Sequence, residues 1–142
     1  MPKRRETGAD TYTKKRAKPG EINIDFGKDN VLPELNGGDL EEFGKASKPL
    51  VLKKSVIERN LKNHPEVAKG DYNRILRQAP YNSDERFGGR QRHNPDYVNF
   101  VKYGEGRAAL VLVELSDRKD NHEVVHLFEP NIGNITRMKR KK

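Results

Sequence analysis

The hydrophobic and polar positions of the chain fall into segments of two different periods. Glu21-Ile22-Asn23-Ile24-Asp25-Phe26 alternates strictly, which predicts a half-buried strand because successive strand side chains point to opposite faces. Residues 31–35 contain Pro33, which cannot donate to a ladder, so this stretch is at best a short edge strand. One helical turn is expected over 39–44, ended by Gly44. The period becomes helical at Ser55. Ser55-x-x-Glu58 fits a capping box, and Ile57, Leu61 and His64 follow on one face. Pro65 disfavours helical geometry at His64 and ends the helix there. A second helix is expected from Asp71 as cap, with Tyr72, Ile75, Leu76 and Ala79 as its apolar stripe and Pro80 as its stop. Two short helices so close in sequence predict a helical hairpin against a sheet.

Residues 81–95 are polar and rich in Gly, Arg and Asn, which predicts a long exposed loop. Period two then returns. A strand over 97–103 meets the turn Gly104-Glu105-Gly106, residues 108–115 are apolar on both faces and form the central strand, and a third strand over 123–129 is closed by Pro130. This is an antiparallel meander, followed by a further short element around 132–135. The fold class expected is α+β, with N-terminal helices packed on an antiparallel sheet of about four strands and disordered basic termini. The expected divisions are an arm over 1–20, an extension with short strands over 21–48, the α+β domain over 49–136 and a basic tail over 137–142.

Charge changes the picture once it is located. Of the net +8, residues 1–20 hold seven Lys/Arg against two Asp/Glu and residues 131–142 hold five against none, leaving −2 for residues 21–130. Basic tails neutralise phosphates and release their counterions, so nucleic acid is the expected partner. Solvated tails that keep the chain soluble, or attachment to another acidic partner, are the competing readings. With no cysteine, a disulfide framework, a zinc ribbon and a thiol nucleophile are excluded. No apolar run approaches bilayer length, and the charged N-terminus has no apolar stretch behind it, so neither a membrane span nor a signal peptide is expected. Cytosolic residence is the default.

Phosphate-binding glycine loops, nucleophile elbows and helical histidine pairs are absent, and no metal or cofactor is expected. His122 and His126 would stand about 13 Å apart along a strand, too far to share a metal without a bulge. His64, at a helix C-terminus that favours imidazolium, suits proton donation near neutrality; the competing reading is a ring that completes helix–sheet packing. His126 is expected to share a strand face with Val124 and Phe128, either in an open groove or as an ordinary sheet residue. His122 and His93 fall in turn or loop sequence and are weaker candidates. Lys102, on a face with Val98 and Phe100, either stabilises phosphate charge or snorkels at an edge. Arg86, Arg90 and Arg92, close to Phe87 and Tyr81, form a basic patch with aromatics interleaved, suited to phosphate contact and base stacking.

From about Pro49 the order of segments resembles a known group. The stretch that leads from Leu50 to Asn63-His64-Pro65-Glu66, then Asp71-Tyr72-Asn73-Arg74-Ile75, then the paired strands over 111–129, is similar to phage-associated nuclease domains of the barnase–EndoU–colicin–RelE-like fold. The resemblance covers roughly the last two-thirds of the chain and implies metal-independent RNA cleavage by 2′-hydroxyl attack. It implies His64 as acid or base, His126 as its counterpart on the sheet, and Lys102 or a loop arginine as phosphate stabiliser. Arg74, Arg86, Arg90, Arg92 and His93 are then the expected nucleic-acid contacts, and an immunity protein or a phage structural protein a further expected partner. The alternative is a non-catalytic nucleic-acid-binding or phage structural protein in which the tails bind and His64 only packs; virion association is a second expected location beside the cytoplasm.

Overall fold

The computed structural model describes residues 18–88 and 96–140. Among these residues the strands are β1 (Asn30–Glu34), β2 (Pro49–Leu52), β3 (Glu85–Gly88), β4 (Tyr97–Tyr103), β5 (Ala108–Glu114) and β6 (His122–Phe128). The helices are α1 (Gly37–Leu40, one turn), α2 (Lys54–Asn63), α3 (Lys69–Gln78) and α4 (Ile132–Arg140). The class is α+β as expected, but the sheet has six strands in the order β1-β2-β6-β5-β4-β3 and is mixed. Its β2–β6 pair is parallel, while every other pair is antiparallel. Both uncounted strands are short. Leu50-Val51-Leu52 reads as a lead-in to α2, because a short apolar run beside a helix start has no period of its own. β3 lies inside the expected 81–95 loop and carries a single large apolar residue, Phe87, which is buried.

Segment 22–25 keeps the predicted alternation of burial, with Ile22 and Ile24 inside and Asn23 and Asp25 outside, yet it joins no ladder. Side chains of α3 take the place of a partner strand: Ile24 N–H donates to Asn73 Oδ1 at 2.9 Å, and Arg77 Nε donates to the Ile22 carbonyl at 2.8 Å. The start of α2 is also corrected. No side chain of the residue before it caps the helix, and the Lys54 N–H is taken instead by Asp29 Oδ1 at 2.8 Å from a distant turn. Ser55 and Glu58 are exposed. α3 begins at Lys69, ahead of the expected Asp71 cap, and buries Tyr72, Ile75 and Leu76 as its spacing predicts.

The sheet carries a core on each face. α2 and α3 cover one face through Ile57, Tyr72, Ile75 and Leu76, against Phe100, Val111, Val113 and Leu127. The other face presents Phe87, Val101, Leu110 and Leu112, which Ile135 of α4 covers in part. α4 runs on to Arg140, so the expected 137–142 tail begins inside a helix, with Lys139 ion-paired to Glu85. The expected 1–20 arm lies outside the described residues up to position 17 and ends in a 3-10 turn over Pro19–Glu21. Among the described residues no helix is long and apolar enough to cross a membrane.

Candidate active site

Two local features bring His64 and His126 together. The first is a bulge in β6. Leu112 pairs with His126 but Val113 pairs with Val124, so Val125 is an extra residue on β6. A one-residue insertion reverses the side on which every later residue lies. Val124 and Leu127 therefore enter the helix-side core, while Val125 packs with the opposite one. His126 lies opposite Leu112 and Phe128 opposite Leu110, both residues of that second core. The expected shared face of Val124, His126 and Phe128 is thus overturned for Val124.

The second feature is the way α2 ends. β2 pairs with β6 only at His122 and Glu123, so among the described residues the outer edge of β6 beyond them has no neighbouring strand. Buried backbone groups there need partners, and consecutive residues of α2 supply them. Arg59 Nη2 donates to the Val125 carbonyl at 2.9 Å, and the Leu127 N–H donates to Asn60 Oδ1 at 2.9 Å. These two bonds flank His126. Asn60 is buried, and its Nδ2 donates to the Tyr72 hydroxyl at 2.7 Å, tying α3 to the same edge. One turn beyond Asn60 the helix is closed by the His64 N–H on the Asn60 carbonyl at 2.8 Å, before Pro65 turns the chain away.

The His64 ring consequently stacks on Phe128, with centroids 4.7 Å apart and planes 16° from parallel. It meets His126 edge-on, with centroids 5.5 Å apart and planes 87° apart. Glu66 Oε2 stands 3.2 Å from His64 Nδ1, which fixes one ring nitrogen and leaves Nε2 for other work. The pair opens on a cleft of about 250 Å³ lined by Arg59, Asn60, Asn63, His64, Tyr97, Val125 and His126. Burial, with the nearby charges of His64 and Arg59, pushes the His126 imidazole down to about 4. His126 is therefore neutral at pH 7 and can accept a proton.

The other sequence candidates stand elsewhere. Lys102 faces the helix side opposite Ala109, is bound to Asp84 at 3.1 Å, and lines a separate cavity of about 260 Å³ with Arg74 and Arg107. Arg74 is held by Glu129 at 2.7 Å and Asp71 at 3.2 Å. Arg86 is bonded to Glu42 and Ser83, with Asp39 at 3.5 Å, so its guanidinium is engaged within the fold. Arg90, Arg92 and His93 lie outside the described residues. His122 is a buried strand residue, not a turn residue. Its Nδ1 accepts from Ser116 N–H and its Nε2 donates to the Ala46 carbonyl, both at 2.9 Å. Burial first of all holds its pKa below the ordinary histidine value.

Sequence reading missed Arg59, Asn63 and Tyr97 as cleft residues. For two of them a signal existed: on a helix, positions 59, 60, 63 and 64 form adjacent rows along one side. Tyr97 carries no such signal, since its place depends on strand order. Among the described residues no group of three or more His, Asp or Glu side chains could hold a metal ion.

A family model described as Large polyvalent protein-associated domain 13 matches residues 20–142. No curated protein and no solved structure matches the chain. The matching model associates the chain with phage and mobile elements, as the resemblance implied, and no nuclease family match supports the barnase-like fold.

Proposed function

The chain belongs to the large polyvalent protein-associated domain 13 family, and from that premise we propose that it is a phage- or mobile-element-borne domain that cleaves RNA without a metal. The observation that carries the reading is the edge-on approach of His64 and His126, 5.5 Å between centroids, on a cleft that also holds Arg59. Cleavage by the ribose 2′-hydroxyl needs a base, an acid and a cation beside the developing charge. Neutral His126 takes the 2′-hydroxyl proton. The 2′-oxygen bonds to phosphorus as the bond from phosphorus to the 5′-oxygen breaks, and His64 imidazolium gives its proton to that departing oxygen. The products are a 2′,3′-cyclic phosphate and a 5′-hydroxyl.

Each group has a partner suited to its role. Glu66 orients His64 through the contact at Nδ1 and leaves Nε2 to face the substrate. Arg59 uses one nitrogen on the Val125 carbonyl and has further N–H donors for the phosphate. It thereby takes the cation's role that the family resemblance suggested for Lys102 or a loop arginine.

The test is incubation of the purified protein with total RNA in excess chelator, beside His64→Ala and His126→Ala variants whose folding is checked by circular dichroism. Chelator-resistant cleavage that disappears in folded variants supports the reading. Equal RNA survival in all samples overturns it, and salt-sensitive RNA binding without cleavage then identifies a binding domain.

A further inference from the structure

We propose that Tyr97 and Asn63 form a nucleobase subsite beside the histidine pair, which stacks and hydrogen-bonds a base next to the phosphate in the cleft. The proposal deepens the ribonuclease reading and rests on it for the neighbouring phosphate. It starts from what the cleft walls leave unused. Asn60 has both ends of its amide engaged, on Tyr72 and Leu127. Arg59 is anchored on Val125, and the two imidazoles pack on each other and on Phe128. Tyr97 and Asn63 differ from all of these. Neither side chain makes a hydrogen bond to a described residue, and the Tyr97 ring stacks on no described aromatic ring, although both residues line the cleft.

The two residues are nevertheless held in position. Tyr97 opens β4, is paired opposite Glu114 of β5, and is half-buried against the second core, so the ring is supported from behind. Asn63 is the last residue of α2, next to His64, and is exposed. A supported aromatic ring and an amide lining the same polar cleft match the chemistry of an unpaired base. The ring takes the flat face, and the amide, which both donates and accepts, takes the edge. A phosphate or a carboxylate alone would have no use for the tyrosine ring. Single-stranded nucleic acid is therefore the class of ligand that these two residues fit.

Binding can be read apart from cleavage with a fluorescently labelled 2′-deoxy oligonucleotide, which lacks the attacking hydroxyl and stays intact. Fluorescence anisotropy is measured for the full chain, for Tyr97→Leu, Tyr97→Phe and Asn63→Ala, and for the unaltered protein with an oligonucleotide containing abasic positions. Tyr97→Leu is expected to weaken binding roughly ten- to hundredfold, as loss of one base–aromatic stack does. Tyr97→Phe keeps the ring and should stay within about threefold of the unaltered protein, which also controls for folding. The abasic oligonucleotide should lose affinity to the same degree as Tyr97→Leu. Unchanged binding in Tyr97→Leu, or equal affinity for abasic and complete strands, overturns the subsite. If Tyr97→Leu weakens binding but RNA survives intact with the unaltered protein, the subsite stands and the ribonuclease reading falls. If RNA is cut and Tyr97→Leu binds normally, the reverse holds.

Discussion

Asn60→Ala should destabilise the domain by about 4 kcal/mol while leaving it folded. Asn60 is 2% exposed and serves two buried groups, the Tyr72 hydroxyl at 2.7 Å and the Leu127 N–H at 2.9 Å. Tyr72 is itself fully buried, and burial is the main reason its phenol is held above the ordinary tyrosine value. Removing the amide strands both partners where water does not replace it. A buried polar group left without a partner costs about 1–3 kcal/mol, so two of them give roughly 2–6 kcal/mol, with the middle of that span as the expected value. A domain of this size is stable by about 5–15 kcal/mol, so the variant remains measurable. Urea unfolding followed by far-ultraviolet circular dichroism is the assay, because the chain has no tryptophan. A double-mutant cycle with Tyr72→Phe sharpens it. Once the amide is gone, deleting the hydroxyl removes an unpaired group, so the second change should cost less than it does alone, by about 1 kcal/mol or more. A loss below about 1 kcal/mol for Asn60→Ala, or strict additivity in the cycle, refutes the claim that Asn60 ties α2 and α3 to the edge of β6.

Three further outcomes are expected. His126 is held near 4 in the folded chain, below the ordinary histidine value of 6.5, so the unfolded chain binds the extra proton first and stability falls as pH drops from about 6.5 towards 4. The contribution is on the order of 3 kcal/mol, and His126→Asn should flatten the stability–pH curve in that window; an equally steep curve in the variant contradicts the assignment. Asp29→Ala should cost about 1 kcal/mol through loss of the Lys54 cap, whereas Ser55→Ala should stay within about 0.5 kcal/mol, and the reverse ranking in urea unfolding would restore the capping box. Gly106→Ala should cost about 1 kcal/mol in thermal unfolding, because the β4–β5 turn holds Gly106 at φ +75° with open space around it, and a neutral result would mean that the turn relaxes.

The parts of the fold that were legible in the sequence are those whose information is local. Tyr97–Tyr103, the glycine turn and the buried strand after it follow from period two and punctuation, and α2 stops at His64 because Pro65 forbids its continuation. Elements set by distant partners were not legible. The cap on α2 comes from Asp29, twenty-five residues away, and β2 is a strand only because β1 and β6 flank it. The candidate site divides in the same way. His64 is readable from the helix end and His126 from its strand. Their meeting is not, because it depends on an extra residue at Val125 that reverses the faces of β6. Lys102 shows the opposite error: its residue type suits the chemistry, but its face of the sheet turns it towards Asp84 and away from the histidine cleft.

The central claim is that His64 and His126 act together on a ribose 2′-hydroxyl. The most direct test is mass spectrometry of cleavage ends on DNA oligonucleotides that each contain one ribonucleotide, in all four base identities, incubated with the protein in excess chelator. The account predicts scission only at the ribonucleotide, with a 2′,3′-cyclic phosphate on one fragment and a 5′-hydroxyl on the other, abolished in His126→Ala. Intact oligonucleotides, or ends bearing a 3′-hydroxyl and a 5′-phosphate, would contradict it.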